Sequence, residues 1–103
     1  METKTITESE IFGDIKFWGN LKFTAEKVIV HGDITADGDI TAGGYIYAGG
    51  NITAGGDINA AAGYINVAAG YIYADGDIYA DGDINADGDI DADGEIKSKN
   101  INK

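Results

Sequence analysis

One aliphatic side chain recurs about every sixth residue along most of this chain, set among small and polar neighbours. The series runs Ile15, Leu21, Val28, Ile34, Ile40, Ile46, Ile52, Ile58, Ile65, Ile72, Ile78, Ile84, Ile90, Ile96 and Ile101. Between Ala36 and Ala60 every even position is Ala, Gly or Ile, and the odd positions are Asp, Thr, Tyr, Asn or Gly. A period of six is three times the strand period of two and fits a helix poorly. Gly and Asp, which recur in nearly every unit, also disfavour helix. The pattern therefore predicts short strands with one small, apolar side and one mostly polar side.

The repeat reads ADGDIT, AGGYIY, AGGNIT and AGGDIN from Ala36, then ADGDIY, ADGDIN, ADGDID and ADGEIK from Ala74. Upstream the same register holds in FWGNLK and VHGDIT. Three units, Phe23 to Ile29, Ala60 to Asn66 and Val67 to Tyr73, are one residue longer. Such a chain must bend, and Gly in each unit lets it turn. Three units per coil give about 18 residues and a three-sided, all-β solenoid, with coils about 4.8 Å apart and each aliphatic stacked on the next. Five or so coils make a rigid rod roughly 25 Å long at that spacing. Burying each aliphatic is worth about 1.5–3 kcal/mol, and the long units read as corner bulges. Phe17, Phe23 and Val30 occupy the Ala position of the first units, where bulk would plug an open end.

This divides the chain into a polar N-terminal tail (1–10), one β-solenoid domain (11–101) and a C-terminal end (102–103). At 103 residues it holds a single domain. Sixteen Gly accompany no Pro and no Cys, so disulfides and Cys-based sites are excluded. No stretch approaches a membrane span and no leader pattern stands at the N-terminus, which makes a cytoplasmic or virion-associated setting the expectation. The net charge of −11 argues against nucleic acid. All seven Lys lie toward the ends, at positions 4, 16, 22, 27, 97, 99 and 103, while Asp75 to Glu95 holds nine acids.

The string VIVHGDITADGDITAGG (Val28 to Gly44) resembles the core of bactofilins, bacterial polymer-forming cytoskeletal proteins. The similarity spans about Ile11 to Ile101. It implies a right-handed, three-sided β-helix that polymerises end to end without nucleotide. The Ala/Gly interior is leaner than that family's, and its Pro-containing flanks are missing. The same Gly-Asp-Ile and Thr-Ala-Gly-Gly runs resemble phage tail-fibre and spike segments, the rival reading.

Chemistry has few footholds. His31, the only His, is placed outward in VHGDIT and no insertion interrupts the repeats, so a hexapeptide acyltransferase is not expected. Asp83 to Ile90 matches the start of an EF-hand loop, but Gly94 stands where the loop needs Glu, and the repeat generates the match by itself. With eighteen-residue coils, Asp39, Asp57, Asp77 and Glu95 share one column. Stacked carboxylates repel, and either a solvated acidic face or a cation such as Ca²⁺ relieves them. Tyr45, Tyr47, Tyr64, Tyr71, Tyr73 and Tyr79 flank inward Ile residues and point outward, concentrated in Ile40 to Ala74, whose sole charge is Asp57. Outward aromatics on a charge-poor surface suit an interface or cross-coil stacking. Trp18, outward in the first units, joins them as an end contact.

Two functions follow, neither enzymatic and neither requiring a cofactor. The first is a structural protein whose partner is itself, a homo-oligomer or filament. The second is a fibre or spike segment of a phage or adhesin that presents a binding surface. Ice binding would need ranked Thr rows, which Thr35, Thr41 and Thr53 do not form.

Overall fold

Most aliphatics of the repeat open a strand of about three residues that ends on Ala, as in Ile34–Ala36, Ile40–Ala42 and Ile52–Ala54. The computed structural model describes residues 2–102 and holds no helix among them. Its strands pass in rotation onto three parallel sheets. The first face carries six strands from Thr3–Ile6 to Ile96–Lys97. A second carries six from Glu10–Phe12 to Ile101–Asn102, and the third carries five from Ile15–Phe17 to Ile90–Ala92. The chain is a β-solenoid of about five turns.

Register keeps like on like. Ile58 pairs with Ile40 on one side and with Ile78 on the other, and Ala60 lies between Ala42 and Ala80. The aliphatic and the small residue of each strand point inward together, so Ile and Ala alternate as parallel interior columns. From Leu21 to Ile84 every aliphatic of the series is fully buried, and no polar or charged residue among those described is buried with them. A core this narrow has no room for an internal hydrogen-bond network, and hydrophobic burial holds the faces together.

Coil length is not uniform. The backbone of Asp57 meets Asp39, 18 residues back, whereas Asp77 meets Asp57 across 20. The additional residues lie in the turns between Ile58–Ala60, Ile65–Val67 and Ile72–Ala74, so the long units leave the faces unshifted. Corner bulging keeps strand parity, which a one-residue slip inside a face would invert.

The two ends differ. Phe17, Phe23 and Val30 pair with Ala36, Ala42 and Ala48, and Phe23 and Val30 are buried, so large side chains fill the first coils. The expected N-terminal tail contributes a strand of its own: Thr3–Ile6 pairs with Asn20–Phe23 and buries Ile6 against Phe23. At the far end Ile90 and Ile96 are half-buried and Ile101 is 47 % exposed. Asn102 is paired with Asn85, while Met1 and Lys103 lie outside the described residues. The body measures 28 × 25 × 22 Å, so this length of solenoid is a short prism nearly as wide as it is long.

Candidate functional site on the outward faces

Since the interior is apolar, every polar side chain able to meet a partner stands on a face or a corner. Corners come first, because they hold the acids. The N–H of Asp39 donates to Asn20 Oδ1, that of Asp57 to Asp39 Oδ1, that of Asp77 to Asp57 Oδ1 and that of Glu95 to Asp77 Oδ1, at 2.7–2.8 Å. The column expected from coil length therefore exists, but its chemistry is that of a hydrogen-bonded ladder. One carboxylate oxygen of each Asp satisfies an amide of the coil that follows, between backbone bonds such as Gly56 N–H to Gly38 O and Ile40 N–H to Asp57 O.

The preceding Gly belongs to the same device. A Cβ on Gly56 would overlap Asp39 Oδ1, and one on Gly76 would overlap Asp57 Oδ1. The Gly-Asp pair thus reads as one unit, in which Gly makes room for the carboxylate and Asp supplies the next one. Among the described residues no three His, Cys, Asp or Glu side chains gather as a metal-holding group. The ladder aims Asp39, Asp57 and Asp77 each at a backbone amide, and Glu95, which ends it, lies 3.5 Å from Lys97 Nζ, so the column expected to hold a cation is here a run of separately paired acids. A second corner repeats it: the backbone N–H of Asp33 donates to Asp14 Oδ1, that of Asn51 to Asp33 Oδ1 and that of Tyr71 to Asn51 Oδ1. Asp83, in the segment that mimics an EF-hand, accepts from Asn100 Nδ2 at 3.1 Å beside the strand Ile84–Ala86.

The tyrosines point outward but do not share a face. Tyr79 is on the first, between Asn59 and Lys97, and Tyr73 is on the third, between Thr53 and Asp91. Tyr71 ends the second corner ladder. Tyr71 and Tyr73 line one pocket at the third face, and Tyr45, Tyr47 and Tyr64 come together on the second face and its leading corner. Units adjacent in sequence go to different faces, so the uncharged stretch that contains these residues is wound around the whole prism.

Tyr45 and Tyr64 stack, with ring centroids 4.4 Å apart and planes 14° from parallel. Gly63 permits this, because a Cβ there would overlap the Tyr45 ring. Tyr47 lies beside them on the strand Tyr45–Ala48, in register with Ile29 and Asn66. Together with Lys27, which pairs with Tyr45, these side chains line a groove. Lys27, Ile29 and Asn66 were not singled out by sequence, though the eighteen-residue coil would have placed them there.

Elsewhere the first coil carries exposed aromatics. Trp18 is 82 % exposed at a turn beside Phe17 and Glu2, outward as expected. Phe12, also exposed, stacks on His31 with centroids 4.8 Å apart. His31 Nε2 lies 2.8 Å from Glu10 Oε2, which makes the lone His a surface pairing partner. On the third face Tyr73 has its hydroxyl pKa raised above 10.0, first by the neighbouring Asp75 carboxylate and then by the charges of Asp93 and Asp91.

The model of one family, described as the haemagglutinin repeat, matches residues 27–100. Compared with curated proteins and with solved structures, the chain matches none. The family match goes with the fibre-type repeat that the Gly-Asp-Ile string resembles, and not with the bactofilins.

Proposed function

The chain belongs to the haemagglutinin repeat family, and from that premise we propose that it is a structural segment of a fibre or adhesin, a rigid block whose outward faces are presented to a partner. Family and fold are both of a structural kind. One observation carries the reading: the interior is an apolar core, mostly Ile and Ala, without a buried polar or charged residue among those described, so the recognition chemistry is displayed on the outside. Parallel strands locked on both sides hold that display in fixed positions, which spares a partner the cost of ordering it.

A second reading, self-association, has its own support at the C-terminal end. Ile90, Ile96 and Ile101, one from each face, are only partly covered, whereas Ile72, Ile78 and Ile84 directly beneath them are fully buried. Unpaired strand edges over an open apolar core invite a further coil. A neighbouring copy would cover that end and lengthen the prism into a rod.

Negative-stain electron microscopy of the pure protein across concentration, with and without Ca²⁺, separates the two. Discrete particles of constant size support the displaying segment. Long filaments of uniform width support self-association through the ends. A chain that circular dichroism shows to be unfolded would overturn both.

A further inference from the structure

We propose that the groove lined by Lys27, Ile29, Tyr45, Tyr47, Tyr64 and Asn66 binds a carboxylate-bearing saccharide. This rests on the displaying-segment reading and names the chemical class of what one face displays itself to. The frame is rigid: three consecutive strands of the second sheet, Lys27–His31, Tyr45–Ala48 and Ile65–Val67, hold the residues in parallel register. The stacked rings of Tyr45 and Tyr64 stand as a ridge at the corner. Tyr47 and Ile29 lie in register beside it on the face.

The lining selects among ligands. A pyranose ring presents an apolar C–H face that lies against an aromatic ring, and its hydroxyls need paired donors and acceptors at the rim. The Tyr hydroxyls and the Asn66 amide supply both. A purely apolar ligand would leave Asn66 and Lys27 unanswered. A cationic ligand would meet the Lys27 ammonium, and nucleic acid would find a single Lys in the groove where phosphate binding needs several clustered cations. Six residues also fall well short of the roughly 20–30 per side of a standard protein interface.

Lys27 supplies the charge preference. It is the last basic residue before Lys97 and lies in register with Tyr45, at the end of the tyrosine ridge. Glu10, the acid in register with Ile29, is occupied by His31 at 2.8 Å. A carboxylate on the sugar therefore has a cation to meet, while its ring meets tyrosine. Tyrosines lose little side-chain freedom on binding, which favours a shallow site of this kind.

The test is an NMR or calorimetric titration of the intact chain with three probes: 3′-sialyllactose, a hyaluronan tetrasaccharide and lactose. Binding of either acidic sugar, with lactose weaker, supports the site, and the pair tells a sialic acid source from a uronic acid source. Tyr47→Ala should weaken the acidic sugar about tenfold. Lys27→Gln should weaken it a few-fold and bring it level with lactose. Tyr73→Ala, on another face, should leave binding unchanged. No binding of either acidic sugar, or lactose binding as tightly, overturns the inference. The particles seen by microscopy would be the same in that event, so the displaying segment would stand without its saccharide.

Discussion

The backbone N–H of Asp77 donates to the carboxylate of Asp57 at 2.7 Å, across a coil of 20 residues. Asp57 thus ties two coils together at a corner, in the gap between the backbone bonds Gly76 N–H to Gly56 O and Ile58 N–H to Asp77 O. Replacing it by Asn keeps the accepting Oδ1, as Asn20 and Asn51 already do in these ladders. Asp57→Asn should be neutral or slightly stabilising, because it also removes one of a stack of like charges. Asp57→Ala should cost about 1 kcal/mol by leaving the Asp77 amide to water alone. Urea unfolding midpoints of the two variants check the ordering.

Gly56 and Asp39 are coupled by space. Gly56→Ala places a methyl where Asp39 Oδ1 sits, and overpacking of this kind costs about 1–3 kcal/mol. Asp39→Gly removes the obstructing carboxylate. The double variant should therefore lose less than the sum of the two single losses. Equal and additive losses in a double-mutant cycle would show that the carboxylate is not what the glycine makes room for.

Position along the stack decides what an isoleucine contributes. Ile58→Ala opens a hole in a fully buried column and should cost about 2–5 kcal/mol. Ile101→Ala, at a site already 47 % exposed, should cost well under half as much. Thermal melts of both proteins in dilute solution compare them directly.

Asn59 Oδ1 is buried without a hydrogen-bond partner, on a strand between Thr41 and Tyr79. Asn59→Thr removes that oxygen and repeats the β-branched residue already found one coil away. It should stabilise the chain by about 0.5–1 kcal/mol, read as a higher urea midpoint.

Tyr73 offers a pH test. Its folded pKa lies above the ordinary 10.0, so the folded state favours the protonated phenol. That contribution is fully present below the unfolded pKa and is lost as pH rises through the folded one. Asp75→Asn should lower the Tyr73 transition, followed by tyrosinate absorbance, and should remove part of the stability loss in the same alkaline window. An unchanged transition would show that Asp75 does not set it.

The aliphatic spacing alone disclosed the coil, its three sides and the inward columns, because one residue type at one phase does almost all the core packing. Coil length likewise put Asp39, Asp57, Asp77 and Glu95 in line. What those acids do was hidden, since composition shows charge but not the amide each carboxylate faces. The strand Thr3–Ile6 was hidden for a related reason: Lys4 occupies the place where its neighbour Leu21 has an aliphatic, so the pattern breaks although the pairing continues. The tyrosines misled in the opposite sense, because closeness in sequence scatters residues around a solenoid while separation by a coil unites them. Tyr47 and Asn66 are partners, and Tyr73 and Tyr79 are not.

Little inside the middle of the prism distinguishes one turn from the next: Ile meets Ile at each level there and, Val67 apart, Ala meets Ala. Identity is written only on the surface. A gene encoding such a chain can gain or lose a whole turn by unequal recombination and still specify a closed core. Length becomes a freely inherited trait, and selection is left to act on the outward letters alone.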